Sequence, residues 1–131
     1  MIPTLIVPGL NGSGLDHWQS WWQALEPHAR RVDQADWQTP DLPVWSANVA
    51  GHLVAAHGPV WIVAHSFGCL AAMAAAAQHP ATVAGAFLVA PADPDRFKVA
   101  EQLPHGPFPF PVLVIASSND PWMTVMKSGY W

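Results

Sequence analysis

The residues with the clearest chemical potential lie in WIVAHSFGCLAAMAAAA, residues 61–77, where one serine, Ser66, separates an apolar run from an alanine-rich run. A serine hydroxyl at its ordinary pKa is a weak nucleophile. Attack on an acyl carbon needs a base to take its proton and donors to hold the oxyanion. Ala64-His65-Ser66-Phe67-Gly68 matches G-x-S-x-G with alanine at the first glycine. In that pattern, the nucleophile elbow, the serine occupies a strained strand-to-helix turn and its neighbours must be small. Ala64 adds one methyl group, while Gly68, Cys69, Ala71, Ala72, Ala74 and Ala75 let the following helix lie close to a sheet. A helix beginning after Ser66 aims its free N–H groups and positive end at the hydroxyl, where an oxyanion would form. The other role open to Ser66 is that of N-cap to a buried helix, which serine fills often.

Two further stretches bear on the same chemistry. In ASSNDPW, residues 116–122, Asp120 follows the fifth apolar run, two such runs after the serine. A serine–aspartate–histidine order places the acid there, although an aspartate before proline is also an ordinary turn former. PGLNGSG, residues 8–14, is a glycine-rich loop after the first apolar run, suited to a second oxyanion donor. Its glycines are spaced G-x-x-G-x-G, not G-x-G-x-x-G, and no P-loop lysine follows, which argues against a dinucleotide or phosphate loop. The base is harder to find. His65 neighbours Ser66 on an extended run, so their side chains are expected on opposite faces. His28, His52, His57 and His79 follow or end helical segments, away from the serine. His17 and His105 are the two that could approach it, and either is more often a surface histidine.

These residues need a scaffold. Residues 4–7, TLIV, form a short buried strand closed by Pro8-Gly9. Ser13 to Leu25 reads as a helix with His17, Trp18, Trp21, Trp22 and Leu25 on shared spacings. A weak strand follows at Arg31 to Ala35. A helix over 43–56 opens at Pro43 with Val44, Ala47, Leu53 and Val54 at roughly helical period, and Gly58-Pro59 ends it. Strands over 60–64, 83–90 and 112–117, a helix over 67–78, and a proline-rich connection with a helical turn or two around 95–102 complete the pattern. Alternation of this kind predicts an α/β three-layer domain with a mostly parallel sheet of order 2-1-3-4-5. Ligands in such sheets bind beyond the carboxyl ends of the strands, which here means residues 8–14, 36–41, 65–69, 91–95 and 117–122.

Composition narrows the function. The chain has 131 residues, 51% hydrophobic and 11% charged, with a net charge of −4. One domain with a single core is expected, and no basic stripe offers itself to nucleic acid. Cys69 is the only cysteine, so neither an internal disulfide nor a cysteine-rich metal site is expected. No H-E-x-x-H or comparable histidine–acid cluster suggests metal catalysis. The N-terminus MIPTLIVPGL lacks a signal-peptide pattern, and no apolar run approaches the roughly 20 residues that span a bilayer. A cytoplasmic protein that engages no membrane is expected.

PGLNGSGLDHWQSWW, VAHSFGCLAA and ASSNDPW, in this order, resemble the small serine hydrolases of the α/β-hydrolase superfamily typified by retinoblastoma-binding protein 9 and YdeN. The resemblance runs from Pro3 to about Met123. It implies Ser66 as nucleophile, Asp120 as the triad acid, and the N–H groups of Phe67 and of Leu10 or Asn11 as the oxyanion hole. His17, Trp18 and Trp122 fall beside those positions as candidate substrate contacts. It implies hydrolysis of carboxylic-ester or related small acyl substrates without a cofactor. The family places its histidine some tens of residues after the acid, in a Gly-His turn beyond a further strand. Here Trp131 comes eleven residues after Asp120 and the tail TVMKSGYW holds no histidine. The expectation is a domain without its final strand and helix, impaired in turnover, with an exposed edge from Val112 to Ser117 open to self-association. A binding module that keeps the pocket but not the activity is the alternative, and a flavodoxin-like nucleotide binder is the least favoured.

Overall fold

The computed structural model describes residues 2–9, 19, 24, 28–95, 97–104 and 108–115. Its strands are β1 (Thr4–Val7), β2 (Arg30–Arg31), β3 (Val60–His65), β4 (Val83–Val89) and β5 (Val112–Ile115), with helices α1 (Leu42–Ala55) and α2 (Phe67–Gln78). They form one parallel sheet of order β2-β1-β3-β4-β5, as the alternating pattern predicts. Successive strands step outward in opposite directions from the β1–β3 pair, so the crevice for a ligand opens at the carboxyl ends of these two strands.

The register sorts side chains onto two faces. Leu5 stands beside Ile62 and Val7 beside Ala64, with Ala86 and Leu88 continuing the rows on β4. This face packs on α1 and α2 in one core that includes Trp45, Leu53, Phe67, Leu70 and Met73. The side chain at each of these positions is almost wholly out of water, each such burial stabilising the fold by roughly 1.5–3 kcal/mol for a large apolar residue. On the other face lie Ile6, Val63 and Phe87 in one row. Gln19, helical and fully buried, donates its amide to the carbonyls of Val7 at 3.4 Å and Val63 at 3.0 Å, bridging β1 and β3. Toward the sheet's end Leu113 and Ile115 are 56% and 44% exposed.

Several boundaries differ from the sequence expectations for identifiable reasons. The second strand is two residues long rather than five: Val32 still donates to Ile6 O at 2.9 Å, but beyond it Gln34 turns to accept from the Asn48 side chain at 2.7 Å. Asp41 caps α1, its carboxylate accepting from Val44 N–H at 3.1 Å, and Pro43 sits in the first turn. The buried stripe of α1 is Leu42, Trp45, Val49 and Leu53. Of the apolar positions read at roughly helical period, Leu53 is buried but Val44, Ala47 and Val54 are exposed, because the 3.6-residue period through Trp45 and Leu53 rotates them toward water. Among the described residues of the connection after β4 there is one short 3₁₀ turn, Ala100–Gln102. The expected helix over 13–25 and the end of the last strand at 116–117 lie outside the described residues, apart from Gln19 and Ala24, which are helical. Among the described residues no helix is long and apolar enough to cross a membrane.

Candidate active site

Ser66 lies in the turn between β3 and α2 with φ 55° and ψ −126°, and it makes no side-chain capping bond to the helix. The N-cap alternative therefore fails on geometry. A capping serine has extended backbone and lends its hydroxyl to the helix. A non-glycine residue at positive φ persists only where its surroundings hold it, and here the hold is visible. Ser66 N–H donates to Val89 O at 3.1 Å at the end of β4, and Ser66 O accepts from Cys69 N–H at 3.0 Å and Ala92 N–H at 3.1 Å. The Cys69 thiol donates to the same Val89 carbonyl at 3.6 Å. The serine backbone is thus pinned from β4, from the loop after it and from α2.

Small residues make the turn possible. A Cβ on Gly68 would overlap the carbonyl oxygens of Val7 and Pro8, and one on Gly9 would lie 2.8 Å from Ser66 Cβ and 2.9 Å from His65 O. Gly9 therefore brings the start of the glycine-rich loop against the serine, its ideal Cβ position only 3.4 Å from Ser66 Oγ. Phe67 opens α2, where an N–H has no partner within the helix. Its ring is wholly buried and wedged between Trp45 at 5.1 Å and Phe97 at 5.0 Å, with Trp37 beyond Trp45 at 5.7 Å. Edge-to-face stacking of this kind fixes the backbone that carries the donor.

Acidic groups at the neighbouring strand ends serve as turn formers. Asp36 accepts from Gln38 N–H at 2.9 Å. Bonding to the Thr39 side chain, then to Gln38, holds its carboxyl below the usual range. Asp93 accepts from Asp95 N–H at 2.9 Å. Of the histidines, His65 ends β3 in register with Val89. His79 follows the far end of α2. His28, His52 and His57 gather at the amino ends of β1 and β3. Among the described residues no cluster of histidine, cysteine or acid is arranged to hold a metal. Leu10, Asn11, His17, Trp18, His105, Asp120 and Trp122 lie outside the described residues.

Sequence reasoning places Gly9 in the oxyanion loop and Cys69 among the small residues after Ser66, but it gives neither the Cys69 thiol nor Ala92 a part in holding the serine turn. Gly9 had a signal, a glycine directly after a buried strand. Ala92 had none, since its part is played by a backbone N–H.

A parallel sheet of this order, with a serine held at positive φ between its central strand and the next helix, is the architecture of an α/β hydrolase. The serine hydrolase family model matches residues 4–131, and the chain belongs to that family. It is similar over its whole length to a YdeN-like hydrolase from Pectobacterium atrosepticum, with 38% identity, 71% of that chain covered and a TM-score of 0.92. The ydeN gene product of Bacillus subtilis shares the fold at 21% identity, with 98% of this chain and 78% of that one covered and a TM-score of 0.72. No curated protein matches the chain.

Proposed function

We propose that Ser66 is the nucleophile for cleavage of carboxylic-ester or related small acyl substrates. The supporting observation is its strained backbone with an uncommitted capping role. In the reaction Ser66 Oγ bonds to the acyl carbon, its proton passes to a base, and the carbonyl electron pair moves onto oxygen. The Phe67 N–H is one donor to that oxyanion, and the loop continuing from Gly9 through Leu10 and Asn11 supplies the second. Collapse expels the leaving oxygen, which takes the proton from the base to depart as the alcohol. Water, giving its own proton to the base, then releases the acid from the acyl-enzyme as Ser66 Oγ regains a proton. Asp120 is the acid of the triad, and His17, Trp18 and Trp122 line the substrate side.

A second reading, a binding module with little turnover, is favoured by the placement of the histidines. Four of the five described ones stand away from Ser66. Without a base, acceleration is limited to the roughly 10³- to 10⁴-fold over water that serine proteases keep after losing a triad member. Labelling with a fluorophosphonate probe, alongside hydrolysis of a short p-nitrophenyl ester, separates the readings. Slow labelling at Ser66, lost in Ser66→Ala, is expected. Fast labelling means that a base is in place, and His17→Ala and His105→Ala then identify it. Labelling that survives in Ser66→Ala removes Ser66 as nucleophile.

A further inference from the structure

At the amino ends of β1 and β3, opposite Ser66, a groove of about 690 Å³ opens. That volume is typical of small-molecule sites. Its floor is buried and largely apolar, with Leu5 and Val60. Its rim carries His28, Arg30, His52 and His57, all exposed. No acidic side chain is among the described lining residues. In a chain of net charge −4 with only five lysines and arginines, this is a marked local excess of cationic and hydrogen-donating groups. Six residue steps along β3 separate Val60 from Ser66, about 20 Å at the usual rise per residue, so the groove is distinct from the serine turn.

We propose that this groove binds a medium-chain carboxylate, with the acyl chain on the apolar floor and the carboxylate on Arg30 and the rim histidines. An apolar floor requires an apolar body in the ligand. One permanent cation with three imidazoles suits a single negative charge, and the guanidinium fork matches a carboxylate. Arg30 uses one amino group to donate to Ala29 O at 3.2 Å, which orients the fork and leaves its other donors for a ligand. The carboxyl end of α1 lies beside the groove and its carbonyls oppose an anion. Ala56 N–H engages the Leu53 carbonyl at 3.3 Å, and His52 stands in that last turn. The site does not depend on Ser66 being a nucleophile.

The test is an NMR titration of the full chain with hexanoate, octanoate and decanoate at constant pH. Octylamine, 1-octanol and inorganic phosphate serve as controls. Shifts should centre on His28, Arg30, His52 and His57, and affinity should rise about fourfold per buried CH₂. Arg30→Gln should weaken octanoate at least tenfold, His52→Gln should weaken it less, and Ser66→Ala should leave it unchanged. Four results would each overturn the proposal: octanol or octylamine binding as well as octanoate, phosphate matching decanoate, shifts centred on Ser66 to Gly68, or full affinity in Arg30→Gln. No shift at millimolar octanoate would do the same.

Discussion

Among the described residues, the two long helices begin in opposite ways. Asp41 precedes α1 with extended backbone, φ −113° and ψ 100°, and its side chain caps the helix. Ser66 precedes α2 with φ 55° and ψ −126°, and its side chain caps nothing. Both residue types are good caps, so residue preference does not explain the difference. At α1 the side chain is used for stability. At α2 the backbone is held out of its favoured range by the Ser66 N–H bond to Val89 O and by the Cys69 and Ala92 N–H bonds to Ser66 O, and the hydroxyl makes no capping bond to the helix. The comparison teaches that a helix start can be read for function when an able capping residue does not cap.

Substitutions that test this contrast differ widely in size. The largest effect is expected at Gly68, where a methyl group meets the backbone carbonyls of Val7 and Pro8, and backbone yields less readily than a side chain. Gly68→Ala should destabilise the fold by about 3 kcal/mol, or about 10 °C in melting temperature. Gly51 lies inside α1 with nothing within 4 Å of its Cβ position, so Gly51→Ala should stabilise by about 0.5–1 kcal/mol. Equal melting temperatures for the two variants would show that α2 is not pressed against the β1 loop.

At the caps themselves the signs should be opposite. Asp41→Ala removes the bond to Val44 N–H and should cost about 1 kcal/mol by denaturant unfolding. Ser66→Gly loses no cap and relieves a strained φ, so it should gain about 1 kcal/mol. A loss on Ser66→Gly would mean that the serine side chain supports the fold after all.

Much of this was legible beforehand because it rests on side-chain pattern. The apolar runs at 4–7, 60–64, 83–90 and 112–117, with the weak run at 31–35, carried the sheet order, and the small residues after Ser66 carried the serine turn. What sequence could not show was rotation and backbone reach. Val44 and Val54 share the apolar character of Leu42 and Leu53, and only the anchoring of Trp45 in the core decides which stripe is buried. The clamp on Ser66 comes from main-chain groups of Val89 and Ala92, which any residue type would supply. The histidines illustrate a third limit. Three that are scattered in sequence, His28, His52 and His57, meet in one groove because parallel connections return each segment to the same end of the sheet.

The smallest effect on stability should come from Ser66→Ala, and it isolates what the strained turn is for. Alanine keeps a Cβ at the same φ, so the strain stays, and the bonds from Ser66 N–H and O are main-chain and stay as well. Because the hydroxyl makes no capping bond, its loss should change unfolding free energy by less than about 0.5 kcal/mol. The same substitution should abolish fluorophosphonate labelling. Paired with Asp41→Ala, which should lower stability and leave labelling intact, it makes a double dissociation. A Ser66→Ala variant that lost a full capping increment, about 1 kcal/mol, would erase the distinction between the two helix starts and return Ser66 to a structural role.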